Sequence, residues 1–355
     1  MAFDGGSRLR PIELPLAPPG PHELVLRVHT CGVCRSDLHV VDGDLHPPRL
    51  PIVPGHEIVG TVLARGAAVA GPRGRAAVNP RGERAAVGAP AAGAQDTAFA
   101  IGERVGAAWM HDTCLRCRWC DTGRENLCRD ARFTGLHAHG GFATHVRVDA
   151  RFCVRLPERY DDVHAAPLLC AGLIGYRALR AAGPDARRIG IYGFGAAGHL
   201  VAQTAIHQGR EVWAFTRAGD TAAQALAMRL GARWAGDSTQ PAPEALDAAL
   251  LFAPVGALVP KALADLAPGG TVVCGGIHMS DIPSFRYATL WEERSIRSLA
   301  NLTRADGQDF MALAARRSFE CVTETFALAD ANEALERLRD GRITGAAVLD
   351  CSTAP

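Results

Sequence analysis

The chain has 355 residues, 48% hydrophobic and 21% charged, which suits about two domains with buried cores. Lys+Arg 38 against Asp+Glu 37 leaves no field to draw nucleic acid or a membrane surface, and no run reaches the ~18 apolar residues of a membrane span. Residues 1–15 carry no apolar signal core, and 11 cysteines, several at metal-ligand spacing, suit a reducing compartment, so the expected setting is cytoplasmic.

The first third reads as short β-type runs broken by Gly and Pro, among them HELVLRVHT from His22, EIVGTVLA from Glu57 and FATHVRV from Phe142. Residues 70–98 are rich in Ala, Gly, Pro and Arg, with almost no bulky apolar side chains; they are expected to form a mobile surface loop. From about Ala171 apolar strands alternate with Ala-rich helical stretches: RIGIYGF, AAGHLVAQTAIHQG, EVWAFT, TAAQALAMRLG, DAALLFA, GALVPKALADL and GTVVCGGI. That alternation predicts a parallel sheet covered by helices. Near Ser298 the texture reverts, with two helical stretches, DGQDFMALAARR and LADANEALERLRDG, before a last strand, GAAVLD. Asp330 and Glu333 have capping-box spacing at the second of these. The expected fold is α/β: a discontinuous outer domain, residues 1–171 and 299–355, flanks an inserted doubly wound unit, residues 172–298.

Cys114, Cys117, Cys120 and Cys128 form a C-x2-C-x2-C-x7-C cluster with polar and charged residues between them. Thiolates so spaced suit one tetrahedral zinc with all four positions filled, which makes it a structural ion. Gly193, Gly195 and Gly198 form a G-x-G-x-x-G between a strand and a helix, the context required for dinucleotide binding. The helix N-terminus there offers free N–H groups to a pyrophosphate. The next strand ends at Thr216 and Arg217 instead of the carboxylate that would bind an NAD ribose. Arg217 is placed to attract a 2′-phosphate, so the motif leans toward NADP, with Asp220 close by as the opposing signal.

A second set of metal-ligand types is scattered: Cys31, Cys34, Arg35, Ser36, Asp37 and His39, then His56 and Glu57, then Cys170. Cys and His from separate segments can hold a three-ligand zinc with an open position. Spacing alone does not show that they converge; Cys170 in its apolar run reads more readily as core packing than as a ligand, and His56 alone is similarly ambiguous.

Taken in this order with the cysteine cluster and the glycine loop, these segments resemble the zinc-dependent alcohol dehydrogenases of the medium-chain dehydrogenase/reductase superfamily, in particular a bacterial, propanol-preferring type. The resemblance spans nearly the whole chain apart from residues 70–98. It implies a GroES-like, mostly-β catalytic domain plus a Rossmann domain, two zinc ions, NAD(P), an alcohol or aldehyde substrate and a homo-oligomer. It also implies Cys34, His56 and Cys170 as catalytic zinc ligands, Glu57 as a nearby or alternating carboxylate, and Cys31 as a packed neighbour. Asp37 would orient His56, and Ser36 and His39 would relay the alcohol proton toward solvent by way of the cofactor ribose. Arg35 would meet the pyrophosphate and Trp109 would form a bulky pocket wall. Val40 and Val41 stand where the family often has a second aromatic, which implies a wider pocket. Two other readings use the same scaffold: a zinc-free quinone or enone reductase, which would lack both cysteine sets, and a non-catalytic NAD(P)-binding sensor, which would have lost the relay.

Overall fold

A computed structural model describes residues 1–69 and 98–352. The loop expected over residues 70–98 therefore lies outside the described residues, save Ala98, which is buried.

Two sheets organise the rest. In the first, of seven strands, Glu23–Val33 is the hub, pairing antiparallel with Glu57–Arg65, His145–Asp149 and Ala346–Asp350. Its β-branched Val25, Val28, Thr30 and Val33 suit a pleated, packed strand, and Leu24, Leu26, Ile58 and Phe142 are fully buried beside it. Thr323–Ala327 joins parallel to Ala346–Asp350, so the chain's end completes a sheet begun near its start.

The second sheet has six strands, all parallel: Arg188–Tyr192, Glu211–Thr216, Trp234–Asp237, Leu246–Leu251, Leu266–Cys274 and Ser295–Ser298. Numbered along the chain, their spatial order is 3-2-1-4-5-6. The order reverses between Arg188–Tyr192 and Leu246–Leu251, and in such sheets ligands bind in the crevice at the carboxyl ends of the strands there. Helix Ala196–His207 starts at that crevice.

Local chemistry departs from the sequence reading in two places. Asp330 makes no cap bond to helix Ala331–Arg339, because the 3-10 turn Leu328–Asp330 runs directly into it and leaves Asp330 at φ −91, ψ 16, outside the extended region a cap needs. The capping box sits instead at helix Arg304–Arg316, where Thr303 and Asp306 satisfy each other's backbone N–H. Helix Arg35–Val41 was not expected; its seven residues are too few to establish a period. Among the described residues no helix is long and apolar enough to cross a membrane.

Candidate active site

Cys34, His56, Glu57 and Cys170, far apart in sequence, bring one ligand atom each to within 4.8 Å of one another. The fold places them at element ends. Cys34 precedes helix Arg35–Val41, His56 and Glu57 stand at the start of strand Glu57–Arg65, and Cys170 precedes helix Ala171–Ala181. Glu57 is admitted by a glycine that the sequence reading missed: a Cβ on Gly32, opposite it in the sheet, would lie 2.0 Å from Glu57 Oε2. The signal for Gly32 is a cross-strand contact, which no local pattern encodes.

Asp37 is buried and fixes this geometry. Its Oδ2 accepts from the Cys34 backbone N–H at 2.9 Å, its Oδ1 accepts from the Gly55 N–H at 2.9 Å, and Oδ1 faces His56 Nδ1 at 3.4 Å. Neither ring nitrogen of the fully buried His56 has a hydrogen-bond partner. Orphaned buried polar atoms are costly, and a metal ion among these donors would remove the cost. The sulfur separation agrees: Cys34 Sγ and Cys170 Sγ lie 3.8 Å apart, too far for a disulfide. Two thiolates about 2.3 Å from a shared tetrahedral centre would stand about 3.8 Å apart.

Electrostatics point the same way. The Cys170 thiol hydrogen-bonds to Cys34 and draws the Cys34 thiol well below its usual range, with His56 adding to the effect. Burial opposes charge on His56, but Asp37 and Cys34 outweigh it and raise its pKa. Burial, with Cys34 adding, pushes the Glu57 carboxyl up. The pocket thus draws positive charge to its centre, which is what a zinc ion supplies. Cys31 lies outside this group, fully buried with its Sγ on the Gly32 carbonyl at 3.6 Å.

Around the four donors, Ser36 Oγ lies 4.0 Å from Cys34 Sγ. His39 turns Nδ1 to Asp44 Oδ2 at 2.8 Å, and its ring meets His278, from beyond strand Leu266–Cys274, at 4.9 Å. The hydrogen bond from His39 depresses the Asp44 carboxyl. Neither Asp44 nor His278 stood out in the sequence. Trp109 is buried with its ring edge-on to His56, centroids 4.8 Å apart at 76°, and stacked on Phe133.

Cys114, Cys117, Cys120 and Cys128 form the other group of this kind among the described residues. Their sulfurs stand 3.5 Å (Cys128–Cys114), 3.6 Å (Cys117–Cys120) and 4.0 Å (Cys114–Cys120) apart, again the spacing of a tetrahedral thiolate site. The backbone N–H of Cys120 helps lower the Cys117 thiol to about 7, whereas burial pushes Cys128 up to about 12. Metal binding there would expel protons.

The glycine loop has three distinct parts. Gly193 takes φ +97, which L side chains rarely adopt, and makes the tight turn. A Cβ on Gly195 would meet nothing within 4 Å, leaving room for a phosphate, while one on Gly198 would lie 2.5 Å from the Gly193 carbonyl. At the end of Glu211–Thr216 the Thr216 hydroxyl is spent inside the protein, donating to the Gly236 carbonyl at 3.3 Å and accepting from Gln224 Nε2 at 3.0 Å. Asp220 caps helix Thr221–Arg229 through the Ala223 N–H at 3.1 Å. The exposed Arg217 Nη2 donates to the Gly341 carbonyl at 3.3 Å. Burial lowers the pKa of Arg35, with Cys34 opposing the shift and Arg217 adding to it. A separate cavity of about 1090 Å³, between residues 11–17 and His111, His139 and Arg147, contains none of these residues.

Residues 20–86 and 82–158 match the family described as alcohol dehydrogenase GroES-like domain. The chain is 46% identical over 333 residues to the "Probable alcohol dehydrogenase AdhA" of Mycobacterium tuberculosis, covering 93% of this chain and 89% of that one. Among solved structures it resembles a cinnamyl alcohol dehydrogenase from Sorghum bicolor, with TM-score 0.84 and 26% identity over 100% of this chain and 97% of that one. It also resembles acetophenone reductase from Geotrichum candidum in complex with NAD, with TM-score 0.83 and 26% identity over 99% of this chain and 97% of that one.

Proposed function

The chain belongs to the zinc-dependent alcohol dehydrogenases of the medium-chain dehydrogenase/reductase superfamily, and from that premise we propose how its residues divide the work. It is an NAD(P)-dependent oxidoreductase acting between alcohols and aldehydes. The observation that carries the assignment of roles is the orphaned, buried His56 among Cys34, Cys170 and Glu57. Cys34, His56 and Cys170 hold a catalytic zinc, with Glu57 as a carboxylate within reach, and the four clustered cysteines hold a second, structural one. When bound, zinc supplies Lewis acidity toward the alcohol or carbonyl oxygen and the nicotinamide supplies the hydride acceptor or donor.

The protein's own side chains handle position and protons. Asp37 holds the tautomer and orientation of His56. Ser36 accepts the alcohol's proton, and His39, anchored on the half-exposed Asp44, passes it toward solvent. Trp109 walls the substrate side beside His56. Sheet membership supports the outer division 1–171 with 299–355 around an inserted 172–298, since strands from Arg188 to Ser298 belong to the parallel sheet and none of the flanking ones does; those form the seven-stranded sheet and a small pair, Met110–Asp112 with Arg132–Phe133.

Gly193, Gly195 and Gly198 seat the pyrophosphate, Arg35 is its cationic contact, and Thr216–Arg217 borders the adenosine ribose. The cofactor is NADP: Asp220 is occupied as a helix cap, and the exposed Arg217 follows directly on the strand end where a 2′-phosphate would lie. Initial rates of aldehyde reduction test this. NADPH should outperform NADH in kcat/KM, and Arg217→Ala should erase about tenfold of that preference, the worth of one charge-assisted hydrogen bond. A parental preference for NADH would refute the cofactor reading and leave the dehydrogenase intact.

The protein is a homo-oligomer. Ser295–Ser298 is an edge strand with all four residues exposed, and Tyr287 and Trp291 nearby are 68% and 61% exposed. Such an edge ordinarily pairs or is covered. Light scattering should give at least twice the chain mass of 37.5 kDa, and Ile296→Lys should lower it. A monomeric parent would end this reading.

A further inference from the structure

We infer that Asn301 is a specificity-determining positioning residue, which holds Trp109 in place beside His56 and is itself fixed by the cysteine lobe. The inference rests on the reading of Trp109 as a pocket wall. The only polar side-chain atom of the buried Trp109 is Nε1, and it donates to Asn301 Oδ1 at 3.0 Å. The other end of that amide is equally committed: Asn301 Nδ2 donates to the Asn126 carbonyl at 3.1 Å, and Asn126 Nδ2 returns to the Ala300 carbonyl at 2.9 Å. Glu125, buried next to Asn126, accepts from the backbone N–H of Arg304 at 2.9 Å and from its Nε at 3.1 Å.

Residues 299–303 lead from strand Ser295–Ser298 to helix Arg304–Arg316, while Glu125 and Asn126 lie between Cys120 and Cys128. The crossover between the two sheet units is thus latched onto the cysteine lobe, and the same latch reaches the substrate side through one amide. Asn301 also has φ +56, a conformation asparagine tolerates better than most residues.

The consequence is confined to the ring. The Trp109 carbonyl already accepts from the Thr134 N–H at 2.9 Å, so its backbone is held independently, and the Phe133 stack at 12° permits sliding in its own plane. Among the hydrogen bonds of the described residues, the one to Asn301 sets how far the buried indole extends past His56. Without it, the ring can settle elsewhere along the stack, and the space beside the metal ligands changes shape while the ligands stay. The effect should therefore fall on KM and on the choice between small and bulky substrates.

The test is a double-mutant cycle on the whole, zinc-loaded enzyme. Asn301→Gly keeps the left-handed backbone and removes the amide; it should change the ratio of kcat/KM for benzyl alcohol to that for propan-1-ol about fivefold, mainly through KM, which is one hydrogen bond's worth. Asn301→Asp retains an acceptor for the indole but loses the donor to the Asn126 carbonyl, so its shift should fall between the parental ratio and that of Asn301→Gly. In a Trp109→Phe background, which has no indole N–H, Asn301→Gly should change the ratio less than about twofold. An unchanged ratio in the parental background, or an equal shift in both backgrounds, overturns the inference. If Trp109→Phe alone leaves the ratio at its parental value, the pocket-wall reading fails and takes the specificity role with it. If Trp109→Phe moves the ratio and Asn301→Gly does not, only the role of Asn301 fails.

Discussion

Replacing Cys34 by alanine is expected to cut turnover about a thousandfold while leaving a folded protein that still binds one zinc. A bound zinc contributes several kcal/mol of charge stabilisation in such reactions, and about 4 kcal/mol corresponds to three powers of ten in rate. Cys34 is one of two partly buried thiols that share a hydrogen bond at 3.8 Å beside His56, the geometry of paired zinc ligands. Without it, Cys170, His56 and Glu57 remain, but the thiolate pair 3.8 Å apart is broken. The fold should survive, because the first turn of helix Arg35–Val41 is tied by Asp37 Oδ2 on the Cys34 backbone N–H, a bond alanine keeps. Metal analysis alongside steady-state rates should show about two zincs per chain falling to about one. Parental turnover in the variant, or an unchanged metal content, would overturn the ligand assignment. Cys120→Ala is the matching control: it should also lose about one zinc, but its principal cost should be thermal stability, since the four-cysteine site has no open position for substrate.

What the sequence made legible followed from range. The four cysteines and the glycine loop are local motifs, each contained in fifteen residues or fewer, so spacing, with the flanking strand and helix for the loop, was enough to nominate them. The alternation of apolar runs and Ala-rich helices after Ala171 likewise announced a parallel sheet. The scattered ligands were different. Cys34, His56 and Cys170 carry no pattern that says they meet, and it was the family resemblance that nominated them. Gly32, His278 and Asn301 were invisible for the same reason carried further: each matters through a partner from another segment, Glu57, His39 or Trp109, while Asp44, close to His39 in sequence, carries no spacing pattern that marks it. Thr216 shows the converse. Its position at a strand end was readable, but whether its hydroxyl faced a ribose or the protein depended on Gly236 and Gln224.

Acid should destabilise this protein well above the range where its carboxylates titrate, and His199, whose pKa is lowered to about 4, is the principal group. The residue sits one position past Gly198, fully buried, in the first turn of the helix that follows the glycine loop. Its Nδ1 donates to the Gly195 carbonyl at 3.1 Å, and its Nε2 accepts from the Val322 N–H at 3.4 Å, just before strand Thr323–Ala327 of the other sheet. One ring nitrogen acts as donor and the other as acceptor, which only the neutral imidazole can do. Burial lowers its pKa to about 4 from the ordinary 6.5. The sign follows from proton counts: between those two values the unfolded chain binds a proton that the folded one refuses, so folding stability is complete above about pH 6.5 and is lost as pH falls toward 4. At 1.36 kcal/mol per unit, the loss from this one group approaches about 3 kcal/mol. Asp162, whose carboxyl is depressed by its hydrogen bond from His29, adds a loss of the same direction but only below the usual carboxylate range near pH 4. Denaturant midpoints measured at intervals from pH 7.5 to 4 should separate the two. His199→Gln can donate and accept as the imidazole does, yet has no proton to bind; its stability should decline less steeply than the parent's, the remainder coming from His111, His137 and His139, which burial also holds below the ordinary histidine pKa. Zinc loss in acid affects both proteins alike and cancels in the difference. Parallel declines in parent and variant would show that His199 is not the group responsible. A flatter variant would mean that the helix presenting the cofactor loop is held to the outer sheet by a bond that acid must break.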